Sequence, residues 1–263
     1  MSDGTGAVSP LQPRPVDARI AAHWRAFFER GEVFALPVAR ELSARRLRAN
    51  TTLLAVLGGL VVAAAVVAVW LFAADAGRPL TYVLLMVVAI AAIAAFIRIA
   101  SIRRLLAAIR DAPDEYLAVS RSGIRYAGID FPWAHVVGGL VIDERGTRFA
   151  GIRKLTARLM LAAGYSRVQL LLGVDQGTVR EYRDRAPGAV RGSFFVSMGS
   201  GGPRVPLEWG VEPESVDPFT TAVRVSAGDA GVPVIVSSEP SVMHTTIMAI
   251  WRGRRPGETE GTR

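Results

Sequence analysis

The stretch 51–100, TTLLAVLGGLVVAAAVVAVWLFAADAGRPLTYVLLMVVAIAAIAAFIRIA, decides how the rest of the chain is read. Its first run, 51–74, carries no charge. As a helix it measures about 36 Å, enough to cross a hydrocarbon core of about 30 Å with tilt. The second run, 81–100, is uncharged as far as Ile97; that part spans about 25 Å and lengthens if Arg98 snorkels toward the headgroups. Asp75, Ala76, Gly77, Arg78, Pro79 and Leu80 hold the turn chemistry between the runs. Uninterrupted apolar runs of this length predict a transmembrane hairpin over a buried hairpin in a soluble core.

Inside the runs, Gly59 with Ala63, Ala64 with Ala68, and Ala91 with Ala95 are small residues at four-residue spacing. Such pairs permit close helix approach within the hairpin or between protomers, and plain alanine abundance also produces them. No Asp, Glu, Lys, Arg or His interrupts either run before Arg98. The usual mark of an ion or proton path is therefore missing, and the hairpin reads as an anchor.

Arginine placement orients it. Arg40, Arg45, Arg46 and Arg48 precede the first run, Arg98, Arg103, Arg104 and Arg110 follow the second, and the turn offers Arg78 against Asp75. By the positive-inside rule both termini are cytoplasmic in a multi-pass plasma (inner) membrane protein. The isoelectric point near 10.8 and net charge of +8 invite a nucleic-acid partner, but the distribution argues against one. Residues 1–50 are net +3, 98–110 add +4, and 111–263 contribute only +1. Charge that flanks apolar spans is explained by topology and by attraction to anionic lipid, about 1 kcal/mol per residue near the surface. The chain has no Cys, which removes disulfides, thiolate metal ligands and cysteine nucleophiles. Abundant Ala, Arg and Gly with a single Lys, Lys154, resembles the bias of a high-GC bacterial genome.

Outward from the hairpin, residues 1–15 are rich in Gly, Ser and Pro and read as disordered. Over 16–50, Val16, Ile20, Trp24, Phe27 and Phe28 recur at helical spacing. Gly31 is a stop, and a second helix is expected from Pro37. The Trp–Phe stripe either lies in the membrane interface or packs on the soluble domain or another subunit. Beyond the second span, 101–112 continues as a helical connector ended by Pro113. Leu117 and Val119, then Ile124 and Tyr126, then Ile129, Phe131 and Trp133 alternate across turns at 120–123 and 127–128, which predicts a strand meander. Further strands are expected at 136–142, 168–174, 193–198 and 204–209, the last two joined by the Gly-rich 199–203. Residues 152–163 read as helix or strand, 178–185 as a short solvated helix, 219–227 as a helix after a turn bracketed by Pro213 and Pro218, and 232–236 as the strand that ends the domain. A C-terminal helix at 241–252 presents Met243, Ile247, Ile250 and Trp251, ahead of a disordered tail at 253–263.

The segment from Tyr116 to Ile142 carries a resemblance. A strand, a turn ending in Gly123 before Ile124, a Pro132–Trp133 pair and a following strand through Val137 resemble the opening strands of bacterial PH-like domains, which in such membrane proteins follow two transmembrane helices. The resemblance covers about thirty residues and the order of elements. It implies an α+β membrane protein: a transmembrane helical hairpin plus a cytoplasmic antiparallel β-barrel or sandwich over 113–240. The helix near Phe219 would close that domain, which would be used for binding.

No catalytic constellation rises from the residues. His23, His135 and His244 stand in separate contexts; Ser122–Gly123 lacks a nucleophile elbow; and Gly199–Gly202 lacks a phosphate loop's spacing and lysine. No cofactor or metal is implied. The side chains placed for lipid or partner contact are Trp24, Phe27, Phe28, Arg45, Arg46, Arg48, Arg103, Arg104, Arg153, Lys154 and Arg158. The function expected is a membrane-anchored interaction or scaffold protein, with membrane lipid, a protein partner or a second copy as its contacts. A tethered enzyme whose site converges only on folding, and an accessory transporter subunit, are the other readings.

Overall fold

The computed structural model describes residues 15–74, 79–111, 115–147, 166–197 and 199–257. Helix α1, Ala18–Glu29, starts where the Asp17 carboxylate accepts from the backbone N–H of Arg19 at 2.9 Å and of Ile20 at 3.3 Å. A short strand β1, Phe34–Pro37, follows, and from Arg40 a single helix α2 runs to Ala73. Helix α3, Pro79–Arg110, runs back along it as one helix, so the expected connector is continuous with the second apolar run as far as Arg110. The two make an apolar hairpin long enough to cross a membrane by length and composition. Among the described residues, all the exposed large apolar side chains except Ile20, Val33, Val196 and Trp251 lie on it.

The expected second helix from Pro37 is corrected here: Pro37 closes a strand. Strand β1 pairs antiparallel with β2, Glu115–Val119, which places Phe34 opposite Val119 and Leu36 opposite Leu117. Strands β3, Gly123–Tyr126, and β4, Ile129–Pro132, complete a four-stranded antiparallel sheet in the order β1-β2-β3-β4. The β3–β4 turn has positive φ at Ala127 (51°) and Gly128 (81°), the twist a two-residue hairpin requires. The second sheet has the order β7-β8-β6-β5-β9, from β5 (Val136–Asp143), β6 (Val168–Asp175), β7 (Phe194–Val196), β8 (Ser200–Pro206) and β9 (Val234–Ser237). Neither sheet closes on itself, so no barrel forms among the described residues, and β9 joins β5 in parallel, against the all-antiparallel expectation.

Helices α4 (Gln176–Arg185) and α5 (Gly188–Arg191) link β6 to β7. Helix α6 (Leu207–Gly210) ends β8, α7 (Pro213–Asp229) precedes β9, and α8 (Pro240–Trp251) follows it. Two further readings change. The Gly-rich stretch 199–203 lies mostly inside β8, where a side chain on Gly202 would sit 2.0 Å from the Leu172 carbonyl oxygen; lack of bulk lets the strands approach. Pro218 lies within α7 rather than ahead of it, because burial of Val216, Phe219, Ala222 and Val223 along one face outweighs the hydrogen bond a proline cannot make.

One core draws on both sheets, with Leu117, Ile124 and Phe131 from the first and Val141, Leu170, Leu172 and Val205 from the second. Helix α7 packs on β1, β2, β3 and β9. Trp133 fixes that closure: its indole N–H donates to Ser226 Oγ at 2.8 Å, and the Ser226 hydroxyl donates to the Ser120 carbonyl at 2.6 Å. The other face of the five-stranded sheet is covered by α8 through Val242 and Ile250 against Leu140, Leu171 and Ile235. Beyond α8, residues 253–257 are not a loose tail: Pro256 is buried near Gly138, and the Arg255 guanidinium donates to the Gly231 carbonyl at 3.2 Å. A helix, a left-handed glycine, a four-residue strand and another helix occur twice at one spacing: Gly31 at φ 77° with 34–37 and 40 onward, and Gly231 at φ 72° with 234–237 and 240 onward.

Candidate functional site

The ends of α2 and α3 nearest the sheets meet the domain on α6. The Ala39 backbone N–H donates to the Gly210 carbonyl at 2.9 Å, and the buried Ser43 hydroxyl donates to the Trp209 carbonyl at 2.8 Å. From α3, Leu106 and Ile109 enter the core, and a Cβ on Gly210 would lie 2.9 Å from both Ile109 Cγ2 and the Tyr116 ring. Glu208 accepts from the Arg167 backbone N–H at 2.6 Å and pairs with its guanidinium at 3.5 Å, while half-buried Arg46 lies within its electrostatic reach. The hairpin is thus bolted to the domain through backbone and buried polar contacts, not hung from a linker.

Two concavities stand out. The larger, about 900 Å³, lies over the outer face of the first sheet between the α1–β1 turn and the β2–β3 turn. Ala118, Arg125 and Asp130 are in register across it. Its central cation is already occupied, because Arg125 donates to Asp130 at 2.7 Å and to Glu115 at 3.1 Å. Both carboxylates hold the Arg125 guanidinium above its ordinary pKa, Asp130 the more strongly. The smaller, about 260 Å³, sits at the junction, between Arg98, Ser101 and Leu105 of α3 and Gln169, Arg204 and Trp209 of the domain. Gln169 is 4% exposed, gives its amide N–H to the Ser166 carbonyl at 2.6 Å and accepts from Arg204 Nε at 2.5 Å.

The residues placed for lipid or partner contact divide. Trp24 and Phe28 are 8% and 3% exposed in the core, with Phe27 packed beside them and Trp24 4.8 Å from the Phe34 ring. The helix that carries them packs on α7, where Arg25 Nε meets Asp229 Oδ1 at 3.0 Å, so the stripe belongs to the domain. Arg45, Arg48, Arg103 and Arg104 are exposed around the hairpin's domain end. Arg153, Lys154 and Arg158, like the expected element at 152–163 and the turn residues 75–78, lie outside the described residues.

His135 Nδ1 meets the Tyr182 hydroxyl at 2.6 Å, while the neighbouring carboxylates are engaged elsewhere, Asp130 by Arg125 and Asp143 by Arg145 at 2.6 Å. Burial is the largest influence raising the Tyr182 hydroxyl pKa. Deeper in, burial pushes the Tyr116 hydroxyl well above its ordinary value; its ring lies edge-on to Tyr126 at 5.6 Å. No group of three His, Asp or Glu side chains able to hold a metal occurs among the described residues.

Gln169, Arg204 and Trp209 were not legible as site residues. Arg204 and Trp209 bound the strand expected at 204–209, which carries no site signal, and only β6–β8 pairing, with Leu171 opposite Arg204, brings them and Gln169 beside Arg98. Comparison with family models, with curated proteins and with solved structures finds no match for this chain.

Proposed function

We propose that this chain is a membrane-anchored interaction protein. The hairpin spans the plasma membrane with both termini cytoplasmic, and the domain resembles a PH-like sandwich closed by α7, holding a protein or lipid partner at the inner face. The observation that carries the reading is the hairpin's outward surface: Val62, Val66, Val69, Trp70, Phe72, Leu84 and Ile97 are each more than half exposed. In water so large an apolar belt would drive association, whereas a bilayer covers it at no such cost. The cations at its domain end, Arg45, Arg48, Arg103 and Arg104, supply the flanking charge that keeps that end cytoplasmic.

The test is topological. Alkaline phosphatase fused after Gly77 should be active and the same enzyme fused after Arg263 silent. Activity confined to the Arg263 fusion would invert the orientation, and release of the full chain from membranes by alkaline carbonate would remove the anchor. Cross-linking in intact cells, followed by identification of the captured species, then reads the partner.

A further inference from the structure

We propose that the junction pocket binds a phosphate group, supplied by the headgroup of an anionic phospholipid beside the helices; the lipid source, though not the phosphate chemistry, rests on the membrane reading above. Depth comes first. Arg98 is the first charge after the apolar run ending at Ile97, and Ser101 and Ile102 follow within about 8 Å along the helix. The headgroup layer beyond the hydrocarbon edge is about 5–8 Å thick, so this wall of the pocket lies at phosphate level.

The chemistry agrees. The lining holds two guanidinium groups, Arg98 and Arg204, and no carboxylate. The buried amide of Gln169 takes Arg204 Nε and fixes the plane of the guanidinium, leaving the Nη groups as its remaining donors, the fork that suits phosphate oxygens. Trp209 completes the wall. It lines the pocket and is 6% exposed, and its buried Nε1 has no hydrogen-bond partner among the described residues. An indole nitrogen can only donate, and a buried donor without an acceptor is costly; this nitrogen is closed off from solvent, so a phosphate oxygen reaches it only once the groups around the ring shift. A volume of about 260 Å³ accommodates a phosphate and the glycerol that carries it, while acyl chains stay alongside α3. Basic pockets beside transmembrane helices on the cytoplasmic side are suited to such headgroups.

The test uses the full chain in detergent micelles, with phosphatidylglycerol as probe, native mass spectrometry as readout and phosphatidylcholine as the zwitterionic control. The wild type should retain one phosphatidylglycerol in preference to phosphatidylcholine. Arg98→Gln and Arg204→Gln should each weaken retention about tenfold, the scale of one charge-assisted hydrogen bond. The indole N–H resonance of Trp209, followed by NMR in the 15N-labelled chain, should shift on titration with phosphatidylglycerol, a signature that reports the pocket even where a variant folds poorly. The same shift with inorganic phosphate and none with the lipid would overturn the lipid source and keep the phosphate site. Equal retention by wild type and both variants, with a stationary indole resonance, would overturn the site. A failure of the anchor shows separately, in the carbonate extraction, and leaves the phosphate titration standing.

Discussion

The Ser43 hydroxyl donates to the Trp209 carbonyl across 166 residues of sequence at 2.8 Å, and Ser43 is wholly buried. One bond therefore joins the start of the long helix α2 to the turn of helix that ends β8. Ser43→Ala removes the donor and leaves a buried carbonyl without it, a loss of about 1–3 kcal/mol. Thermal unfolding of the detergent-solubilised chain should show a lower midpoint for Ser43→Ala, and an unchanged midpoint would mean that the junction does not depend on this bond.

Ala127 occupies a left-handed position, φ 51°, where its Cβ is disfavoured, ahead of Gly128 at φ 81°. Ala127→Gly should stabilise the hairpin by about 1 kcal/mol, since relief of the left-handed conformation exceeds the added freedom of the unfolded chain. Denaturant midpoints of the two chains decide the sign. Most substitutions destabilise, so a gain here would be specific to the turn.

Arg145 donates to Asp143 at 2.6 Å and also reaches Asp217 of α7, tying the end of β5 to the closing helix. The Arg145 hydrogen bond holds the Asp143 carboxyl below its ordinary pKa. Its contribution is therefore complete above the unfolded carboxylate value near 3.9 and is lost as pH falls through the lowered folded value. With both side chains about a third exposed, the pair is worth about 1 kcal/mol. Asp143→Asn should lower stability at pH 7 by that amount and leave a shallower loss on acidification, read from unfolding midpoints between pH 7 and pH 2.

Val88 stands near the middle of the second apolar run and is 54% exposed. An arginine there, facing lipid, should cost about 2.5–3.5 kcal/mol of insertion free energy. Val88→Arg should shift part of the chain out of the carbonate-resistant membrane fraction, whereas Arg103→Gln, beyond the apolar run, should not. Equal extraction of both variants and the wild type would mean that Val88 does not face the bilayer.

Legibility followed the range of the forces. The meander at 115–132 was readable because alternation and turn residues are local, and it appears with the expected turns. Strand β1 was not, because its four residues FALP acquire their character only by pairing with β2 some eighty positions away. The Trp24–Phe28 stripe has helical spacing, but spacing does not say which apolar surface the helix will meet, and here it meets α7. The junction pocket left no local signal, since Arg98, Gln169, Arg204 and Trp209 come from four separate elements.

By itself the sequence determined the apolar hairpin, the basic residues at its domain end, and the existence of a strand-rich unit beyond it, because apolar length and alternation are properties of neighbours along the chain. Only the tertiary structure decided that the amino-terminal helix and strand belong to that unit, that β9 runs parallel to β5, and that α6 bolts the hairpin in place. Those outcomes depend on which surfaces and hydrogen-bonding groups meet at long separation, and no window of sequence contains both partners.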